Sequence, residues 1–211
     1  MTPYIYTALI LYVASLGLGI VGQAAASAAT GIASIALIGV VLTRAYRELE
    51  GLKNAYWDKL AGVWLGAEYT VAIWLFVLAG VGSELLSAFL WQQLASLVPA
   101  VTPGEAQITS PEEVRKFLGI GALALGAFAL ALVWFVAWIY LIDVFTRDLY
   151  LVRIAIGAGG FRPFSATFYV IISLVTVGFL YFYWLYSVWR WISQLKTSTR
   201  SPPSSQSPVV Q

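Results

Sequence analysis

The chain contains no cysteine and no histidine, and its single methionine is Met1. Without cysteine there is no thiol nucleophile, disulfide or thiolate metal site, and without histidine no imidazole ligand and no His-based triad or acid/base pair. Haem held by an internal His, Met or Cys ligand is excluded with them. Charge is scarce as well: Asp, Glu, Lys and Arg make up 10% of the 211 residues, against about 25% in an ordinary soluble domain. The net charge of +2 gives no footprint for a nucleic-acid partner.

What the chain has instead is apolar surface. Hydrophobic residues make up 60% of it, and its mean hydropathy is +0.82. A water-soluble fold cannot hide that much, so the expectation is an all-α, polytopic transmembrane helix bundle in the lipid bilayer of the cell membrane. A span needs about 20 mostly apolar residues. No charged side chain lies between Tyr4 and Thr43, enough for two spans joined by a tight hairpin in the Gly17–Gln23 cluster. The charge-free runs predict six spans, near 4–21, 25–44, 61–81, 84–100, 117–142 and 164–189, within a bundle over 1–192.

The segment Ser83–Val98 decides the topology. Glu84, Ser87, Gln92, Gln93 and Ser96 spread around its helical circumference, leaving Leu86, Leu90, Leu94 and Leu97 as a narrow stripe. Its insertion is marginal, and the alternative is five spans plus one interfacial helix. Six spans divide the Lys and Arg residues nine against three, with Arg147, Arg153 and Arg162 as the minority; five spans divide them seven against five. The positive-inside rule therefore favours six, with both termini cytoplasmic. The first apolar run is expected to be retained, because Met1-Thr2-Pro3 supplies no basic n-region for a cleavable signal.

Between spans, Thr43–Leu60 reads as a helix leaving the bilayer, then Gly51 and an amphipathic piece ending at Lys59. Ser110-Pro111-Glu112-Glu113 is a capping-box helix start with Pro at the first position. Asp143–Pro163 reads as a loop. Its Gly157-Ala158-Gly159-Gly160 run lacks the spacing of a nucleotide-binding loop. Residues 193–211, rich in Ser, Thr, Pro and Gln, are expected to be a disordered tail.

Glu68 is the main chemical candidate. It lies about 13 Å beyond Lys59 along a helix, with no Lys or Arg at that depth, and an ionised carboxylate without a partner is costly in lipid. It is either a proton- or cation-binding group of a transporter or channel, or a protonated structural donor. Glu84 and Asp143 are expected at span ends, solvated. No D-x-D or E-x-x-E spacing brings two acids together, so no catalytic residue, cofactor or metal site is assigned.

Small residues such as Ser27/Gly31 and Ala29/Ala33 lie four apart in the second span, a spacing that lets helices approach closely within the monomer, on a membrane-protein partner or in self-association. The last span ends in a dense aromatic run from Tyr181 to Trp191, expected as an interfacial belt. Here Thr176-Val177-Gly178, then Tyr183-Trp184-Leu185-Tyr186 and Trp189-Arg190, resemble a helix of small prokaryotic membrane proteins of unassigned function, over about 20 residues in the Thr176–Gln194 region. The resemblance implies a membrane protein and no activity. The function expected is that of an accessory, assembly or scaffold component, the alternative being a small transporter or channel built around Glu68.

Overall fold

The computed structural model describes residues 1–60, 69–97, 111–157 and 162–200. Among these the chain is all-helical, with seven helices: α1 (Thr2–Ile20), α2 (Ala24–Ala55), α3 (Trp57–Leu60), α4 (Tyr69–Leu97), α5 (Pro111–Ile156), α6 (Ala166–Val175) and α7 (Phe179–Arg200). Four of them, α1, α2, α4 and α5, contain windows long and apolar enough to cross a membrane. The contacts divide the chain into two compact units. One holds Thr2–Val40 and Thr70–Tyr140; the other holds Met1, Val41–Tyr69 and Leu141–Gln211.

The first unit joins helices through small residues and hydroxyls. α1 ends at Val21–Gln23, where Gly22 adopts φ +79° and the Gln23 N–H reaches back to the Leu18 carbonyl at 2.9 Å, a Schellman-type stop that favours glycine. The chain then returns as α2, and serine side chains stitch the pair together. Ser15 Oγ donates to the Ser27 carbonyl at 2.9 Å, Ser27 Oγ donates to the Ser15 carbonyl at 2.8 Å, and Ser34 Oγ donates to the Ala8 carbonyl at 2.8 Å. Of the small residues of α2, Ala28, Gly31 and Ser34 are buried inside the chain, whereas Ala25, Ala29 and Ala36 are exposed.

α4 corrects the expected boundary between 61–81 and 84–100. It runs unbroken from Tyr69 to Leu97, straight through Gly80-Val81-Gly82-Ser83. The glycines there admit a neighbour: a Cβ on Gly80 would lie 2.7 Å from Trp134 Cδ1, and one on Gly82 would lie 2.8 Å from Leu130 Cδ1, both on α5. Glycine costs a helix about 1 kcal/mol relative to alanine, and here the return is close helix approach.

α5 corrects a second expectation. Asp143–Ile156 continues the helix rather than forming a loop, giving 46 residues and a length of about 69 Å, more than twice a hydrocarbon core of roughly 30 Å. The second unit is built on this continuation. Its core takes Leu42, Ala45, Leu49 and Leu52 from α2, Leu141, Phe145, Leu149 and Val152 from α5, and Trp184, Leu185, Val188, Ile192 and Leu195 from α7, all buried. Their spacing of three and four is the inward stripe of packed helices. The aromatic run is accordingly core more than belt. Tyr181, Phe182, Trp184 and Trp191 are buried, and Trp184 Nε1 donates to Thr146 Oγ1 at 3.1 Å.

The expected span 164–189 is two elements. Ser165 caps α6, its Oγ accepting from the Phe168 N–H at 3.2 Å. The helix stops at Thr176–Gly178, where Val177 has φ 50° and Gly178 φ 85°. The Gly178 N–H bonds the Ser173 carbonyl at 2.7 Å, and Thr176 Oγ1 accepts from the Leu180 N–H at 3.2 Å, opening α7. The chain reverses there. Tyr169 and Trp191 stand with ring centroids 6.4 Å apart, whereas 22 residues of straight helix would separate them by about 33 Å. α7 also continues to Arg200, so 193–200 is helix and not tail; 201–211 lie outside the described residues.

Candidate functional site

The second unit contains a polar cluster around Asp148. The residue falls on the inward stripe of α5, between Phe145 and Val152, so packing carries its carboxylate inside, where its side chain is 0% exposed. A buried carboxylate needs donors, and three helices supply them. Tyr69, at the first turn of α4 and itself fully buried, donates its hydroxyl to Asp148 Oδ2 at 2.7 Å and also lies 3.2 Å from the Val144 carbonyl. Lys53, in the last turn of α2 and 15% exposed, sets its Nζ 3.2 Å from the same oxygen. Arg147 Nε approaches Oδ1 at 3.3 Å.

Aromatic rings enclose the cluster. Tyr46 stacks on Tyr69 at 5.0 Å, Phe145 meets it edge-on at 4.6 Å, and Lys53 Nζ lies 5.2 Å from the Tyr69 centroid. Nearby within the unit, Lys196 of α7 pairs with Glu48 of α2. Both carboxylate oxygens of Asp148 are engaged and neither meets solvent. Such an arrangement holds helices in register; it presents no free base or nucleophile to a substrate.

The first unit holds an acid of a different kind. Glu84 is the sixteenth of the 29 residues of α4, in mid-helix and not at a span end. Its carboxyl lies against α2, where a Cβ on Gly31 would come within 3.1 Å of Glu84 Oε1 and equally close to Ser15 Oγ. Tyr12 of α1 is close enough to feel its charge. Glycine at 31 is what leaves room for the acid.

No protein-family profile, curated protein or solved structure matches this chain. The site readings therefore stand on geometry. Glu68 lies outside the described residues. Asp143 is an exposed residue of α5 that lines a cavity of about 260 Å³ with Arg147, Arg162 and Ser165. Among the described residues, no three metal-ligating side chains gather.

Lys53, Tyr69 and Asp148 were not candidates in the sequence. The available signal was the register of Leu141, Phe145, Asp148, Leu149 and Val152, which places an acid on an apolar stripe. It becomes visible only once 143–156 is taken as helix.

Proposed function

We propose that the protein is a multi-pass component of the cell membrane with four crossings, α1, α2, α4 and α5, which acts as an accessory, assembly or scaffold protein through a helical assembly on the cytoplasmic side. The observation that carries this reading is the saturation of Asp148. Its carboxylate, buried and engaged at both oxygens, joins α2, α4 and α5.

The ion pairs also support the topology. Paired charges share one depth, so an even number of crossings separates Lys53 from Asp148, and likewise Glu48 from Lys196. Six spans would put three crossings between the first pair, and five would put three between the second. Four spans, with α6–α7 as a hairpin that enters and returns on one side, put two between each. Every Lys and Arg except Arg115 and Lys116 then lies on one side, ten of the 12, a stronger positive-inside bias than either expected arrangement. Both termini are cytoplasmic on this reading.

Single cysteines test it, since the chain has none of its own. A membrane-impermeant thiol reagent added outside whole cells should label Gln23→Cys and miss Asn54→Cys, Ile154→Cys and Ser198→Cys. Labelling of Ile154→Cys would restore six spans, and labelling of Ser198→Cys would restore five. The accessory role predicts a stoichiometric partner, recovered on purification in mild detergent from native membranes. Purification as the chain alone overturns it.

A second reading rests on Glu84. A carboxyl amid α1, α2 and α4, beside Ser15 and Tyr12 and far from any basic side chain in the sequence, is suited to bind a proton or small cation within the bilayer. Proton or cation flux into liposomes by the isolated protein, abolished in Glu84→Gln, would favour a transporter; flux unaltered by the substitution would remove Glu84 from that role.

A further inference from the structure

Within the second unit, two cavities adjoin at Arg162 and Phe164, which line both. The second cavity, of about 230 Å³, lies between the start of the hairpin and α7, and Arg190, Gln194, Ser187 and Tyr183 complete its polar and aromatic lining. Among the described residues, neither Arg162 nor Arg190 has a carboxylate within ion-pair distance. Two exposed guanidiniums thus face one small cavity without an anion. Each offers a planar fork of donors that matches a phosphate.

The surroundings say where that phosphate comes from. Phe179, Tyr183, Ser187, Arg190 and Gln194 follow one another at steps of four, four, three and four residues along α7, and so share one face. That face grades from apolar at the hairpin turn to polar at its base. At the turn, Leu174, Val175, Val177 and Phe179 are all exposed. α6 has ten residues and a length of about 15 Å, half the hydrocarbon thickness. A hairpin of that depth carries its turn into one leaflet and leaves Arg162 and Arg190 at headgroup level. The cavity has room for roughly seven waters at about 30 Å³ each, enough for a phosphodiester and its small substituent, with the acyl chains outside along Tyr183 and Phe179.

We propose that Arg162 and Arg190 form a headgroup site for an anionic phospholipid at the base of the α6–α7 hairpin. The proposal rests on the four-crossing topology, which puts the hairpin on the cytoplasmic leaflet, where anionic lipid makes the surface negative.

Native mass spectrometry of the purified full chain, given equal amounts of phosphatidylglycerol and phosphatidylcholine, tests it. The expected result is selective retention of phosphatidylglycerol, weakened about 30-fold when both guanidiniums are lost in Arg162→Gln/Arg190→Gln. Arg115→Gln/Lys116→Gln removes the same charge at the start of α5 and should leave retention unchanged; an equal loss there would reduce the effect to net charge and overturn the site. If the first double variant does not fold, Arg162→Lys/Arg190→Lys keeps the charge without the fork and should give an intermediate loss; full retention overturns the proposal. Inorganic phosphate in lipid-free detergent distinguishes the two sources of the anion: protection against heat equal to that from phosphatidylglycerol, and lost in the Gln variant, would make the ligand free phosphate and overturn the lipid reading. Cysteine labelling checks the topology separately, so unselective lipid retention with the four-crossing labelling pattern intact refutes the site alone.

Discussion

The two units solve the same problem, joining helices that share few polar groups, by opposite means. In Thr2–Val40 and Thr70–Tyr140 the links are serine hydroxyls on backbone carbonyls and glycines that admit a neighbouring side chain, with Glu84, in the middle of α4, set against Gly31. In Val41–Tyr69 and Leu141–Gln211 they are a buried carboxylate with three donors, a second ion pair between helices, and a continuous aromatic core. On the proposed four-crossing topology, the contrast follows from the solvent each half suits. Apolar surface gains nothing by leaving lipid, so helices there associate by fit and by short hydroxyl bonds. Near water, burial of rings becomes a driving force, and a buried charge is tolerable once it is fully paired.

The contrast predicts a ranking of substitutions. Asp148→Ala should have the largest effect, because it removes the carboxylate that pairs the Lys53 ammonium and accepts the shorter bond of the Tyr69 hydroxyl; a loss of about 3–5 kcal/mol is expected, read by thermal or denaturant unfolding of the detergent-solubilised protein. If the comparison is right, the loss stays in one unit: crosslinks between cysteines placed in α1 and α2 should form as in the wild type. A stability change under 1 kcal/mol would mean that the cluster is not what joins α2, α4 and α5. Gly80→Val comes next, at about 1–3 kcal/mol, since a side chain there must displace Trp134. It should weaken the α4–α5 contact without disturbing the cluster around Asp148, so a crosslink between cysteines placed at positions 48 and 196 should form as in the wild type.

Ser34→Ala should cost about 0.6 kcal/mol, the typical value of one hydroxyl bond between membrane helices; a loss several times larger would place that serine among the principal links and blur the distinction between the units. Lys116→Gln should fall below about 0.5 kcal/mol, because its i,i+4 pair with Glu112 is exposed. The same unfolding assay reads both.

What the residues disclosed about this arrangement was uneven, for physical reasons. Apolar run length is governed by the bilayer alone, so the all-helical fold and the first two helices were legible, as was the turn in the Gly17–Gln23 cluster. Glycine is ambiguous, since the same residue weakens a helix and permits close packing. Gly80 and Gly82 therefore suggested a break where the fold has a contact. A charge inside an apolar run is ambiguous too. Asp143, Arg147, Asp148 and Arg153 suggested a loop because a chain read piecewise cannot supply the partners that make Asp148 tolerable: Lys53 and Tyr69 lie 95 and 79 positions away. The reversal at Thr176–Gly178 lies inside a charge-free run that reads as one span over 164–189, and Val177 at positive φ is a conformation that a β-branched residue adopts only under constraint from its surroundings.

The separation of Lys53 from its acid bears on how the chain is made. On the four-crossing topology proposed above, Lys53 leaves the ribosome long before Asp148 does, and α4 and the apolar part of α5 are threaded into the bilayer in between. Throughout that interval Lys53 is solvated, and Tyr69 waits at the start of α4 without the carboxylate that will accept its hydrogen bond. Once Asp148 emerges, the last turn of α2, the first turn of α4 and the last quarter of α5 can lock in one step; α7 and the Lys196–Glu48 pair follow. On that topology the cluster around Asp148 is also a completion signal, closing only on chains in which both intervening helices have been inserted in the correct direction.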